Sequence, residues 1–260
     1  MLLFAPVASS ATGGTALPRI SVITVVWNGA RTLGDCIGSL AKQQYGNLEY
    51  LIIDGGSTDG TLEIVRAFPQ TVTGSLSEPD GGTYDAMNKG VRMATGDFVL
   101  FLGADDQLLA DLREVAPHLR DPCTIYYGDA FWPARNRRYD GPFGAAKLAL
   151  RNICQQTMFY PRAVFEKYAF DTRYRLQADW EFNMRCFSDP ELRFEYLPLL
   201  VSRYNDIDGS SARHRDLDLE EDYIRLLWRH FPGRVALPVS IVVLGGRVLR
   251  RIGLLRGGVE

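Results

Sequence analysis

Residues 20–54, ISVITVVWNGARTLGDCIGSLAKQQYGNLEYLIID, decide the fold. Ile20–Trp27 is an unbroken apolar and β-branched run, the pattern of a parallel strand covered on both faces. Asn28-Gly29 ends it, and Arg31–Gln44 then places Leu33, Ile37, Leu40 and Ala41 at helical spacing. Leu48–Asp54 is a second buried strand. Reading outward, Gly55-Gly56 make a turn before a helix over Thr58–Phe68 and a weaker strand over Thr71–Ser77. A helix over Thr83–Ala94 turns Ala86, Met87, Gly90 and Val91 inward, and Asp97–Leu102 is the next strand. This alternation predicts an α/β fold: a mainly parallel central sheet flanked by helices, joined by right-handed crossovers.

Beyond Asp106 the alternation loosens. The spacing predicts a helix over Leu108–Leu119, a strand over Thr124–Ala130 and irregular chain over Phe131–Ala146. A short strand over Gln156–Tyr160, one or two helical turns over Arg162–Tyr168, a helix over Leu176–Phe187 and a strand over Leu192–Val201 follow. Asp206–His214 reads as loop and Asp216–His230 as an amphipathic helix. Phe231–Glu260 is apolar with interspersed arginines. That pattern fits either a helix docked on the rest of the chain or one lying on an anionic membrane face. Met1–Pro18 reads as a flexible N-terminal tail, because its apolar run is short and lacks a basic start. The expected organisation is therefore a tail over 1–18, one domain over 19–205, and a C-terminal loop and helical extension over 206–260.

Composition narrows the function. With 29 Lys+Arg against 31 Asp+Glu, the formal net charge of -2 gives no global field to hold nucleic acid. Cys36, Cys123, Cys154 and Cys186 are too far apart in sequence for a zinc knuckle or a CxxC pair, so they read as reduced and cytosolic. The scattered His118, His214 and His230 offer no HExxH-type site. No apolar stretch is long enough to cross a bilayer.

In parallel α/β sheets, ligands bind beyond the carboxyl ends of the strands. Here those ends carry Asn28-Gly29, Asp54 with GGSTDGT, and Gly103-Ala104-Asp105-Asp106. Two adjacent carboxylates after a buried strand are too costly to bury without a cation. Three ordered segments, SVITVVWNGARTLGDCIGSLAKQQYGNLEYLIIDGGSTDGT, SEPDGGTYDAMNKGVRMATGDFVLFLGADD and LQADWEFNMR, resemble the family 2 glycosyltransferases, which have the GT-A fold. The resemblance covers about residues 19–205, and the forms DGGSTDGT and EPDGGTYDAMNKG look most like bacterial exopolysaccharide and colanic-acid-type transferases.

That resemblance implies a nucleotide-sugar donor and a divalent cation, Mg²⁺ or Mn²⁺. It places Asp105 near the ribose and Asp106 on the metal through the diphosphate. Asp54 would bind the nucleoside, and Asn28 would shape the loop over the base. Asp80 and Asn88 would contact sugar or nucleotide, with Lys89 near the diphosphate and Gln156 at the acceptor or donor sugar. Asp179 stands at the position of the catalytic base, which direct displacement needs to accept the acceptor's proton. Read as residues alone, Asp105, Asp106 and Asp179 also suit helix caps, Asp54 and Asn28 suit turns, and Thr83–Ala94 suits an ordinary capped helix. Trp180 fits a core role better than acceptor stacking. The chain departs from the family at Gly55, where many relatives carry a second acid that often contacts the base, and at Gln155, commonly His.

The implied function is an inverting, metal-assisted glycosyltransferase of the hexosyltransferase type, moving a sugar from a UDP-linked donor to a glycan or lipid-linked hydroxyl in bacterial polysaccharide biosynthesis. It would work in the cytoplasm, with peripheral contact to the inner face of the plasma membrane through the basic C-terminal segment. Two rivals remain at this level. One is a nucleotidyltransferase, for which Trp27–Arg31 is a poor glycine-rich basic loop. The other is a non-catalytic nucleotide-sugar or glycan-binding protein, which the Gln155 departure permits.

Overall fold

The structure is a computed structural model and describes residues 17–207 and 216–251. The first half alternates as its sequence requires: β1 Ile20–Val26, α1 Leu33–Ala41, β2 Leu48–Asp54, α2 Thr61–Ala67, β3 Gly74–Ser77, α3 Thr83–Met93 and β4 Phe98–Phe101. β1 pairs in parallel with both β2 and β4, and β2 with β3. Successive side chains leave a strand on opposite faces. Ile23, Ile53 and Phe101 therefore enter the core under α3, while Val22, Ile52 and Leu100 enter the core under α1. Two covered faces explain why these strands read as continuous apolar runs.

The second half makes the sheet mixed. β5 Gln107–Leu108, β6 Thr124–Trp132, β7 Arg137–Tyr139, β8 Met158–Pro161 and β9 Arg193–Arg203 complete the order β3-β2-β1-β4-β8-β6-β9-β5, with β7 off β6. β8 is antiparallel to β4 and β6, whereas β9 is parallel to β6. Short helices α4 Leu112–Val115, α5 Ala145–Leu150 and α6 Val164–Lys167 lie between strands, α7 Ala178–Ser188 precedes β9, and α8 Leu217–His230 and α9 Gly233–Arg251 follow it. Strand order reverses beside β1, whose neighbours are β2 and β4, so a crevice opens at their carboxyl ends.

Two sequence expectations are corrected. The helix expected over Leu108–Leu119 is instead β5, the one-turn α4 capped by Asp111, and a 3-10 turn at Ala116–His118. Antiparallel pairing of β5 with distant β9 captures Leu108, and no local pattern encodes that partner. Phe131–Ala146 is not irregular throughout: β6 and β7 form a hairpin in which Trp132 and Tyr139 stack at 4.4 Å, and α5 begins at Ala145. The pro- and gly-rich composition hid a strand of three residues. The C-terminal segment does form a docked helix, burying Ala236, Val239 and Ser240. Residues 1–16 of the expected tail and the loop 208–215 lie outside the described residues.

Candidate active site

A cleft of about 670 Å³ spans the carboxyl ends of β1 and β4 and continues to the N-terminus of α7. Asn28, Asp80, Asp105, Asp106, Gln156 and Asp179 all line it. Six side chains singled out across 150 residues of sequence thus share one cavity.

The acidic pair is built by a tight turn after β4. A Cβ at Gly103 would collide with Asp106 Oδ2 and stand 3.1 Å from Asp105 Oδ1, so glycine lets both carboxylates bend over the same point. The antiparallel register Gln107↔Arg203 carries Asn205 opposite the pair. Asn205 donates its backbone N–H to Asp106 Oδ1 at 2.7 Å and its amide to Asp105 Oδ2 at 2.9 Å. Asp106 is only 2% exposed. Burial, and then the charge of Asp105, push its carboxyl up to about 7. Two converging carboxylates held mainly by neutral donors are short of positive charge, and a divalent cation fits that deficit. Among the described residues no third His, Cys, Asp or Glu joins them. Asp106 is the residue that would hold such a cation, with Asp105 beside it.

Asp179 sits in the first turn of α7, where the helix end favours negative charge. Tyr84, from α3, donates its hydroxyl to Asp179 Oδ1 at 2.6 Å, and Asn152 donates its amide to Oδ2 at 2.6 Å. Asn152 cannot flip, because its own carbonyl accepts from Asn183 at 2.8 Å, whose carbonyl in turn accepts from Tyr160 at 2.9 Å. Burial raises the Asp179 carboxyl to about 6 against the opposing pull of these hydrogen bonds. Cys154 lines the same cleft, and its thiol is raised by burial, then by the charge of Asp106 and less by that of Asp179. Trp180 is held as a core residue, donating Nε1–H to the Leu148 carbonyl at 2.8 Å and resting on Tyr223, while it also borders the cleft.

On the strand-one side, Asn28 takes a left-handed φ of 51° and accepts from the Thr58 backbone, tying the β1 loop to the β2 loop. Asp59 accepts from the Thr61 backbone at the start of α2 and from that of Ala30. Asp54 is buried behind the cleft lining. Burial raises its carboxyl, yet bonds from Ser57, Ser77 and Gly56 more than offset this, leaving it below the ordinary range. Its other oxygen, Oδ1, is buried with no hydrogen-bond partner. Asp80 holds the Gly82 backbone through Oδ1. Its Oδ2 lies 2.6 Å from where a Gly55 Cβ would stand, so this carboxylate fills the space of a side chain at position 55.

Two side chains expected at the donor make other contacts. Asn88 spends its amide on the backbone N–H and carbonyl of Phe170, and Lys89 pairs with Glu78 and the Pro79 carbonyl. Neither lines the cleft; Asn88 ties α3 to the chain at Phe170, and Lys89 braces the segment that presents Asp80. Gln155 lines the cleft together with Gln156, and its Nε2 is buried without a hydrogen-bond partner. Tyr84, Asn152, Arg175 and Asn205 belong to the cleft without having been singled out from sequence for a role. Of these only Tyr84 sits within a quoted motif, and the others carry no local signal.

The model of glycosyl transferase family 2 matches residues 21–173, which hold the acidic turn, the Asp80 segment and Tyr84. The chain belongs to glycosyl transferase family 2. It is an enzyme, a glycosyltransferase, and neither the nucleotidyltransferase nor the binding-protein reading stands. Relatives in Mycobacterium bovis and Mycobacterium tuberculosis, each named PGL/p-HBAD biosynthesis glycosyltransferase, are 42% identical over 205 residues, covering 75% of this chain and 80% of theirs. Among solved glycosyltransferases, Staphylococcus aureus TarS matches with a TM-score of 0.68 at 18% identity over 87% of this family 2 chain, which spans 43% of TarS. TarS 1–349 in complex with UDP gives 0.61 at 22% identity, covering 80% of this chain and 64% of that one. The mannosyltransferase PcManGT of Pyrobaculum calidifontis, in complex with GDP-Man and Mn²⁺, gives 0.61 at 18% identity, covering 90% and 76%. At such identities these structures confirm the GT-A fold.

Proposed function

We propose that this glycosyltransferase moves one sugar, with inversion, from a UDP-linked donor to a hydroxyl of a glycan or lipid-linked acceptor. The setting is bacterial polysaccharide biosynthesis, in the cytoplasm at the inner face of the plasma membrane. The observation that carries the reading is the shared cleft, with a carboxylate pair on one side and a hydrogen-bonded carboxylate, Asp179, on the other. TarS solved with UDP and with UDP-GlcNAc supports the donor class, and the bacterial relatives support a biosynthetic role.

In this reading Asp179 takes the acceptor proton as the hydroxyl attacks, and Asn152 and Tyr84 fix its direction. One base, with no carboxylate recognised as a nucleophile among the described residues, corresponds to a single displacement, hence inversion. Asp105 faces the ribose and Asp106 the diphosphate. A bound divalent cation supplies neutralisation of the departing nucleoside diphosphate. Release of UDP only when acceptor is present, with a product of inverted anomeric configuration by NMR, tests the whole reading. Retention would refute the single displacement.

Asp179 must be ionised to act, and its carboxyl stands at about 6, so transfer falls as pH drops through that value. Tyr84→Phe removes a donor that favours the charged form, so the acid limb of kcat/KM should move to higher pH by about one unit. A limb that does not move means Tyr84 does not tune the base.

Asp80 provides an acceptor oxygen where Gly55 leaves room, suited to the N3–H of uracil or the N1–H of guanine and opposed by the unprotonated N3 of cytosine or N1 of adenine. Gly55→Asp should displace it and weaken UDP binding by about tenfold. Gly55→Asp combined with Asp80→Gly should restore most of the binding by returning one acid to that space. Calorimetry with UDP, GDP and CDP reads both variants. Equal affinity for CDP and UDP in the native protein would show that Asp80 does not select the base.

A further inference from the structure

α9 docks by one side only. Ala236, Val239 and Ser240 face the protein, against α5 and α8. On the other side Leu237, Ile241 and Leu244 recur at i, i+4 and i+7, forming one stripe that is 49–63% exposed. Val242 flanks the stripe. Trp228, in the last turn of α8, is half exposed beside Gly233, the first residue of α9. Clustered exposed side chains of this size mark an interaction surface more often than a solvated one.

Charge identifies the partner. From Phe231 through Val259 the chain contains no Asp or Glu, but it contains Arg234, Arg247, Arg250, Arg251 and Arg256. The exposed Arg229 of α8 adds to this balance. A second copy of the chain, docked about a two-fold axis, would set the same acid-free surface against itself with no carboxylate to answer the arginines. A lipid surface bearing anionic headgroups satisfies both halves of the pattern, taking the apolar stripe into its interface and the guanidinium groups at its phosphates. No described helix is long and apolar enough to span a membrane.

We propose that α9, with the last turn of α8, is an in-plane docking face for an anionic lipid bilayer. The face belongs to the Asp179 side of the cleft. α9 packs on α5, whose Leu148 and Ala149 carbonyls accept from Trp180 and Tyr223, and α5 leads directly into Asn152, the partner of Asp179. Docking would therefore bring the acceptor side of the site to the bilayer. That consequence rests on the glycosyltransfer reading above; the docking itself does not.

Co-sedimentation of the full chain with vesicles tests it. Binding to phosphatidylcholine vesicles containing phosphatidylglycerol should exceed binding to phosphatidylcholine alone by about tenfold, and should weaken with added salt. Ile241→Glu with Leu244→Glu should remove about tenfold of that affinity. Arg229→Gln with Arg234→Gln should weaken binding to the anionic vesicles alone. Circular dichroism and turnover of a water-soluble acceptor should stay unchanged in both variants, which separates loss of docking from loss of chemistry. Equal binding to both vesicle types, no binding to either, or unaltered binding by the glutamate variant would overturn the proposal. So would a native dimer, by light scattering, that the glutamate variant splits into monomers, since the face would then be a self-interface.

Discussion

Asp179→Asn should lower kcat by about a thousandfold while leaving donor affinity and fold intact, because a positioned general base contributes two to four orders of magnitude. The substitution is nearly isosteric. An amide at 179 still accepts from Tyr84 through its oxygen, although its NH₂ then meets the amide of Asn152 where a carboxylate oxygen was, a local conflict at a group that borders the cleft. The wild-type carboxyl, raised to about 6 by burial, is costly to ionise in the folded protein. Neutralising it therefore removes an electrostatic penalty, and thermal stability at pH 8 should not fall greatly. Stopped transfer with retained UDP binding by calorimetry marks a base. Loss of binding and of melting temperature together would mark a structural residue.

Asp106→Asn should weaken metal-dependent donor binding by about a hundredfold, since charge neutralisation at a phosphoryl oxygen is worth several kcal/mol. Its effect on stability has the opposite sign. The folded carboxyl is raised to about 7, so its contribution to metal-free stability is fully present below the unfolded carboxylate range and is lost as pH climbs through about 7. The amide abolishes that dependence. It can still accept from Asn205 and can now donate toward Asp105. In chelator at pH 8 the variant should melt no lower than the native protein, while calorimetry with UDP and Mn²⁺ shows the loss. Unchanged donor affinity in the presence of Mn²⁺ would remove Asp106 from the metal site.

The parallel half of the sheet was legible because its information is local. Strands covered on both faces must be apolar along their length, and Ile20–Trp27 and Leu48–Asp54 could be little else. The acidic turn was legible for the complementary reason: two adjacent carboxylates at Asp105 and Asp106 have no place in a core. The remaining features depend on pairings between distant segments. β5 exists only because Gln107 meets Arg203, and the same register delivers Asn205 to the acidic pair. Asn152 is a plain asparagine in sequence, and only its position between Asn183 and Asp179 gives it a task. Asn88 and Lys89 mark the opposite case. Their place in a motif suggested ligand contacts, yet backbone and acidic partners nearby take up their polar groups. Gly55 likewise departs from the family pattern in sequence, whereas in space the neighbouring Asp80 occupies the vacated volume.

The most direct test of the account is a crystal structure of Asp179→Asn with an intact UDP-sugar and Mn²⁺, the metal located by its anomalous scattering. The account predicts metal at Asp106, with Asp105 toward the ribose, and the side chain at 179 facing the anomeric carbon from the side opposite the diphosphate. Metal away from Asp106, or residue 179 on the diphosphate side of that carbon, would contradict it.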